Sequence, residues 1–143
     1  MRRSIAYLAC LPVLCSVSWS QARLLTLENG PSRPAERRAL LVGNNTYQRA
    51  RPLQNAVKDA RDIEASLKTL GFSTMLVADA NAADMREALR KFAGGLAPGD
   101  LAFFYYAGHG VQIDGVNYMA PIDINAASES DAKRTGIDVG EAQ

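Results

Sequence analysis

The sequence has very few of the side chains that carry metal or disulfide chemistry. Its 143 residues include two cysteines, Cys10 and Cys15, and a single histidine, His109. Both cysteines lie in an N-terminal segment that we expect to be removed, so no disulfide would stabilise the mature chain and the fold would depend on its hydrophobic core. Because no second histidine or cysteine is available beside His109, we also expect no metal site.

A large excess of either charge is also absent. The formal net charge is +1, which offers no electrostatic basis for a nucleic-acid partner. The glycine-rich run Gly94–Gly99 follows a predicted helix and enters a predicted strand, which is the reverse of the order in a phosphate-binding loop. We therefore expect no bound cofactor. With 48% hydrophobic and 22% charged residues, the composition is typical of a globular domain.

The sequence has no hydrophobic run of the roughly 20 residues that a bilayer span requires. The apolar stretch Ile5–Val17 is shorter, follows two arginines and precedes the small residues Ser20 and Ala22. This order is typical of a secretory signal peptide cleaved after Ala22, and an uncleaved anchor is the alternative. We predict a signal peptide over 1–22, export to the periplasm or the exterior, and a linker over 23–36.

The remaining residues, 37–143, alternate short apolar runs with amphipathic segments. The pattern predicts strands over 38–43, 73–79 and 101–106, helices over 56–70 and 81–94, and a short further strand over 116–120. A β-α-β-α-β order is typical of an α/β domain with a parallel sheet, and right-handed crossovers predict the strand order 2-1-3. The edges of a three-stranded sheet stay open, so we expect more strands to complete it.

Open parallel sheets bind their ligands beyond the carboxyl ends of the strands. Three segments supply candidate residues there: Asn44, Asn45 and Tyr47 after the first strand, Asp59 in the first helix, and Gly108, His109 and Gly110 after the third strand. We expect these segments to meet on one rim of the sheet.

His109 is the main candidate for chemistry on this rim, since an imidazole can transfer protons. The flanking glycines, Gly108 and Gly110, permit unusual backbone angles and the close approach of another molecule. They also leave the Gly110 N–H free to donate to a ligand oxygen. The alternative is a structural histidine that caps a tight turn.

Asp59 can be explained with or without a ligand. An acidic residue in the first turn of a helix is favoured by the helix dipole alone. However, Asp59 lies outside the apolar face of its helix, so its carboxylate is free to meet a cationic group.

Six sequence blocks of the predicted domain together carry a family signature. The most specific block is Phe103–Gly110, and the others are Arg38–Tyr47, Leu53–Ala60, Leu70–Phe72, Gly115–Tyr118 and Pro121–Asp123. In their order and spacing they resemble the caspase-like cysteine peptidases of the bacterial metacaspase and orthocaspase kind. The resemblance implies a three-layer α/β caspase-like fold with a mainly parallel sheet. Residues 37–143 would form the N-terminal portion of this p20 domain, without its C-terminal strands.

The resemblance also implies roles for three residues. His109 matches the catalytic histidine, which works with a cysteine thiolate and protonates the leaving amine. The Gly110 N–H matches one donor of the oxyanion hole. Asp59 matches the aspartate that holds an arginine or lysine side chain in the S1 pocket, so a peptide or protein substrate with a basic P1 residue is expected.

The family's nucleophile has no counterpart in the sequence. In this family the cysteine ends the next core strand in an Asp-x-Cys setting, about 50 residues after the histidine, which places it near position ~159. We therefore expect the chain to be inactive by itself and to need a further segment supplied in trans. Ser128 and Ser130 lie in a polar segment without a strand-end turn and are not expected to replace the cysteine.

Two other functions are alternatives to this one. A non-catalytic pseudopeptidase would use the same cleft to bind a partner or a peptide. A flavodoxin-like or receiver-like domain would need a phosphate-binding loop after the first strand or an acceptor aspartate after the third. The segments Asn44–Tyr47 and Ala107–His109 provide neither.

Overall fold

The computed structural model describes residues 33–142. Its elements, in chain order, are β1 (Arg37–Gly43), α1 (Ala56–Thr69), β2 (Ser73–Ala78), α2 (Ala82–Gly94), β3 (Leu101–Ala107), β4 (Gly110–Ile113), β5 (Val116–Met119), α3 (Glu129–Thr135), β6 (Ile137–Asp138) and a closing 3-10 turn (Val139–Ala142). The predicted β-α-β-α-β order is therefore confirmed. The predicted signal peptide and most of the predicted linker lie outside the described residues, so both remain predictions.

The main sheet is parallel and has the order β2-β1-β3, as predicted from right-handed crossovers. The central strand β1 is the most buried, because it is paired on both edges and covered on both faces. The outer edge of β3 has no strand beside it among residues 33–142. Leu101, at the start of β3, is 54% exposed. The predicted open edge is thus present in this part of the chain.

Two helices cover opposite faces of the main sheet and give the domain three layers. Leu40 and Val42 of β1 pack with Met85 of α2, whereas Leu41 faces the other side and packs with Leu67 of α1. Successive residues of a strand point to opposite faces, so the unbroken apolar run of β1 supplies both cores. This architecture is the α/β fold expected for a caspase-like domain.

The two long helices lie where they were predicted, within two residues at each end. The Asn81 side chain caps α2 by accepting the Asp84 N–H at 2.9 Å. Asn55 precedes α1, but its side chain forms no capping hydrogen bond. Leu70, the last residue of the helix predicted over 56–70, is 58% exposed, because α1 ends at Thr69 and Leu70 begins the turn into β2.

The polar segment after β5 contains structure that its weak periodicity does not predict. Its helix α3 begins at Glu129, where the Ser128 hydroxyl accepts the Asp131 N–H at 3.1 Å. A serine followed three residues later by an acidic residue is a known helix-start signal, so Ser128 has a structural role as a cap. After α3, strand β6 joins β4 and β5 in a second, antiparallel sheet.

The end of the predicted linker is attached to the main sheet. The Asp100 carboxylate, just before β3, accepts the backbone N–H groups of Glu36 and Ala97, both at 2.9 Å. These bonds, first that from Glu36, together with the Arg33 guanidinium, lower the pKa of Asp100 to about 2. Across residues 33–142, no helix is both long and apolar enough to cross a membrane.

Candidate active site

The loop of residues 44–55, between β1 and α1, is fastened at its start by Asp79. The Asp79 carboxylate accepts the backbone N–H groups of Asn45 at 2.7 Å and Thr46 at 2.9 Å. Burial would raise the pKa of Asp79, but these hydrogen bonds outweigh it and hold the pKa below its usual value. Asp79 has a φ of +51°, a left-handed conformation that aspartate tolerates better than most residues.

The side chains of Asn44 and Asn45 both form hydrogen bonds that hold the rim together. Asn44 is fully buried, where its Oδ1 accepts the Ala80 N–H at 2.9 Å and its Nδ2 donates to the Ala120 carbonyl at 3.1 Å. Asn45 Oδ1 accepts the Val57 N–H at 3.2 Å and so caps α1 from the loop. The strand-end position of these residues was predicted correctly, but their side chains form structural contacts.

Two tyrosine hydroxyls converge on the backbone of His109. The Tyr47 hydroxyl oxygen accepts the His109 N–H at 2.8 Å. The Tyr106 hydroxyl lies 2.7 Å from the His109 carbonyl and 2.9 Å from the Ala120 carbonyl, and it donates to either. Burial raises the pKa of Tyr47, and raises that of Tyr106 well above its ordinary value, so both hydroxyls keep their protons at neutral pH.

Gly108 is required by these hydroxyls and not by backbone strain. A Cβ atom at this position would lie 2.6 Å from the Tyr47 hydroxyl oxygen and even closer to that of Tyr106. Neither Gly108 nor Gly110 has a positive φ. The unusual backbone angles that these glycines permit are therefore not used, whereas a close approach exists within the protein itself.

The imidazole of His109 is held by the loop of residues 44–55. Its Nε2 lies 2.7 Å from the Arg51 carbonyl oxygen, and since a carbonyl oxygen only accepts, Nε2 carries the proton and donates it. The Tyr47 ring lies against the imidazole at a centroid distance of 4.5 Å and an interplanar angle of 52°. Nδ1 forms no hydrogen bond within the described part of the chain, so it is the nitrogen available to a ligand.

The N–H of Gly110 points away from the strand beside it. The turn Asp114–Gly115 has φ angles of +51° and +81°, as in the two-residue turns that fix hairpin register, and Gly110 is paired with Met119. The Ala120 N–H donates to the His109 carbonyl at 2.9 Å. Because antiparallel pairs alternate, Gly110 and Met119 form a non-hydrogen-bonded pair, and the Gly110 N–H faces outward from the β4–β5 hairpin.

Asp59 is half-buried in the first turn of α1. Its carboxylate accepts no hydrogen bond and forms no ion pair with any residue of 33–142, whereas neighbouring Lys58 is paired with Asp62 at 2.5 Å. No hydrogen bond or ion pair within residues 33–142 joins Asp59 directly to His109. The two belong to the same edge of the sheet, where the loop of residues 44–55 contacts both α1 and His109.

Three groups of the site are missing from the sequence-based prediction. Asp79 lies at the carboxyl end of β2, and the predicted topology alone could have indicated it. The Tyr106 hydroxyl belongs to an apolar run that indicates a strand and gives no sign of a polar contact. The acceptor on Arg51 is a backbone carbonyl, which every residue has, so no sequence signal marks it. No group of three or more potential metal ligands occurs in the described residues.

Comparison with known families identifies the class of protein. A family model for the caspase domain matches residues 36–136, which is most of the chain, so the chain belongs to the caspase-domain peptidase family. This family membership excludes the flavodoxin-like and receiver-like alternatives.

The chain is also similar to curated members of this family. Over 85 residues it is 33% identical to the human mucosa-associated lymphoid tissue lymphoma translocation protein 1 (Homo sapiens), covering 59% of this chain and 10% of that protein. Over 118 residues it is 29% identical to metacaspase-1 of Mycosarcoma maydis, covering 68% of this chain and 29% of that protein. The chain thus spans less than a third of the length of either relative.

Proposed function

We propose that the chain provides the histidine half of a cysteine-type endopeptidase that cleaves after arginine or lysine. The state of His109 is the observation that carries this proposal. The Arg51 carbonyl engages Nε2, which leaves Nδ1 to exchange a proton with a reacting group. The N–H of Gly110, next in the chain, faces outward from the β4–β5 hairpin and is suited to stabilise an oxyanion.

The proposed reaction follows the general scheme of acyl transfer to a thiol. A thiolate attacks the carbonyl carbon of the scissile bond, and the Gly110 N–H donates to the oxygen that becomes negative. The protonated imidazole of His109 gives its proton to the leaving amine as the C–N bond breaks and a thioester remains. His109 then takes a proton from the water that hydrolyses the thioester, which releases the acid and restores the thiolate–imidazolium pair.

Asp59 supports the preference for a basic P1 side chain. It is half-buried and has no cationic partner among the described residues. A guanidinium or ammonium group would provide one through charge-assisted hydrogen bonds. An aspartate side chain at P1 would instead bring two negative charges together, which is unfavourable.

The thiolate has to come from outside residues 33–142, since this part of the sequence contains no cysteine. The proposal is that a segment supplied in trans adds a strand ending in the nucleophilic cysteine, with export through residues 1–22. The same absence favours a second candidate function, a pseudopeptidase that binds peptides in the same cleft without cleaving them.

Peptide binding tests the proposed specificity without requiring catalysis. We expect calorimetry to show that the chain binds a peptide with a C-terminal arginine amide more tightly than its aspartate counterpart. Asp59→Asn should weaken binding of the arginine peptide roughly tenfold, the usual worth of a charge-assisted hydrogen bond. Asp62→Asn is the matched control, because it removes the same charge from the same helix. Equal affinity for both peptides, or equal effects of both substitutions, would contradict the role of Asp59.

A peptidase assay separates the two candidate functions. The chain alone should not hydrolyse fluorogenic peptides with arginine or aspartate at P1. When it is co-expressed with the part of the Mycosarcoma maydis relative that follows the matched stretch, we expect arginine-specific turnover that His109→Ala abolishes. A stable complex without turnover would favour the pseudopeptidase. Turnover by the chain alone that requires His109 would contradict the proposed supply of the thiol in trans.

A further inference from the structure

Tyr47 contacts His109 through both its ring and its hydroxyl. The ring lies 4.5 Å from the imidazole, centroid to centroid, and the hydroxyl oxygen accepts the His109 N–H at 2.8 Å. Tyr47 is itself only 6% exposed and belongs to the same loop as Arg51, whose carbonyl engages Nε2. A single loop therefore fixes the backbone and the side chain of His109 together.

Both the oxygen and the proton of the Tyr47 hydroxyl are engaged in hydrogen bonds within the protein. It accepts the His109 N–H, and its own proton is directed at the Ala120 carbonyl or the Tyr106 hydroxyl, both at 3.3 Å. The Tyr106 hydroxyl in turn donates to the carbonyl of His109 or of Ala120. The two hydroxyls thus form a closed set of hydrogen bonds, and removal of the Tyr47 hydroxyl leaves the His109 N–H without a partner.

We propose that Tyr47 is a positioning residue for His109, which keeps Nε2 on the Arg51 carbonyl and leaves Nδ1 accessible. The consequence for catalysis rests on the proposed function, whereas the geometric role does not. The imidazole turns about two side-chain bonds, so one hydrogen bond at Nε2 leaves other staggered rotamers accessible. The Tyr47 ring occupies one side of the imidazole and removes rotamers that would break that bond.

Nuclear magnetic resonance of the full-length chain tests this proposal directly, because His109 is the only histidine. In the wild type we expect distinct ¹⁵N signals from a protonated Nε2 and an unprotonated Nδ1, with a protected Nε2–H. Tyr47→Leu removes the ring and the hydroxyl, so the two nitrogen signals should move towards an averaged position and the ring N–H should exchange too fast to be observed. Tyr47→Phe keeps the ring, so it should keep the tautomer but speed exchange of the His109 amide about tenfold.

Tyr118→Phe is the matched control, since this hydroxyl on β5 forms no hydrogen bond within residues 33–142. The proposal is overturned if Tyr47→Phe changes amide exchange at His109 no more than Tyr118→Phe does. It is also overturned if Tyr47→Leu keeps a single tautomer in a chain that circular dichroism shows to be folded. If Tyr47→Leu does not fold, the proposal is tested with Tyr47→Phe and the wild type alone. In that case, unprotected exchange of the wild-type ring N–H would overturn it.

These measurements need neither a thiol nor a substrate. Absence of peptidase activity in the co-expressed complex, beside the expected signals, would contradict the proposed function and leave the positioning role intact. An active complex whose imidazole rotates freely would contradict the positioning role and leave the proposed function intact. In an active complex, we expect Tyr47→Leu to lower kcat more than it raises KM, because the substitution releases the imidazole that transfers the proton and leaves Asp59 untouched.

Discussion

Replacement of Asn44 by alanine tests whether this buried amide holds the rim of the sheet together. Its Oδ1 accepts the Ala80 N–H at 2.9 Å and its Nδ2 donates to the Ala120 carbonyl at 3.1 Å. The residues that carry these backbone groups are themselves only 2% exposed. Water therefore has little access to take the place of the lost amide.

The cost of Asn44→Ala can be worked out from these contacts. The Ala80 N–H loses its partner while buried, which costs about 1–3 kcal/mol. The Ala120 carbonyl loses less, about 0.5–1 kcal/mol, because the Tyr106 hydroxyl at 2.9 Å still serves it. Added to a small cavity, the substitution should lower the free energy of unfolding by about 3 kcal/mol, a large share of the 5–15 kcal/mol typical of a domain.

Urea denaturation followed by circular dichroism measures this loss. With a slope of about 1–3 kcal/mol per molar for small proteins, we expect the midpoint to fall by about 1–3 M with an unchanged slope. Asn117→Ala, on the exposed side of β5, is the matched control and should change stability by less than about 0.5 kcal/mol. A loss below about 1 kcal/mol for Asn44→Ala, similar to that of the control, would refute the reasoning.

Three further substitutions probe the same framework. Gly108→Ala places a methyl group against two tyrosine hydroxyls and should lower the free energy of unfolding by about 1–3 kcal/mol in urea denaturation. Gly94→Ala is its control and should cause no loss, because its Cβ would meet nothing within 4 Å. Asp100, with a pKa of about 2 against an ordinary 3.8, contributes stability that is complete above pH 4 and lost as the pH falls towards 2, so Asp100→Asn should flatten the acid side of a melting-temperature profile over that range. Asp79→Asn keeps a side chain that tolerates positive φ but removes a carboxylate of lowered pKa. It too should therefore flatten the loss of stability below pH 3.8. An unchanged acid profile would show that the loop of residues 44–55 does not depend on the charge.

The strands and long helices were predictable because hydrophobic periodicity is a local property. β1 is an unbroken apolar run covered on both faces, and α2 carries a capping asparagine at Asn81. Each signal lies within a few residues of the element it specifies. The C-terminal elements were harder to predict because α3 has seven residues and β6 has two, which is too few for a period to become visible.

The candidate site was predictable only in part. The edge of the sheet where His109 and Asp59 belong follows from the topology. The topology does not tell which side chains point outward at that edge, because the backbone conformation after each strand sets their direction. Asn44 is fully buried, and Asp79 reaches the loop through a left-handed backbone conformation.

The sequence alone determined the α/β class, the strand order and the family resemblance, since these depend on local pattern and on the order of motifs along the chain. The tertiary structure decided how His109 is held. Its contacts come from the Tyr47 hydroxyl and the Arg51 carbonyl, groups far from it in sequence. Backbone carbonyls and buried hydroxyls acquire a role only when folding brings a partner within about 3 Å, and no local pattern records that distance.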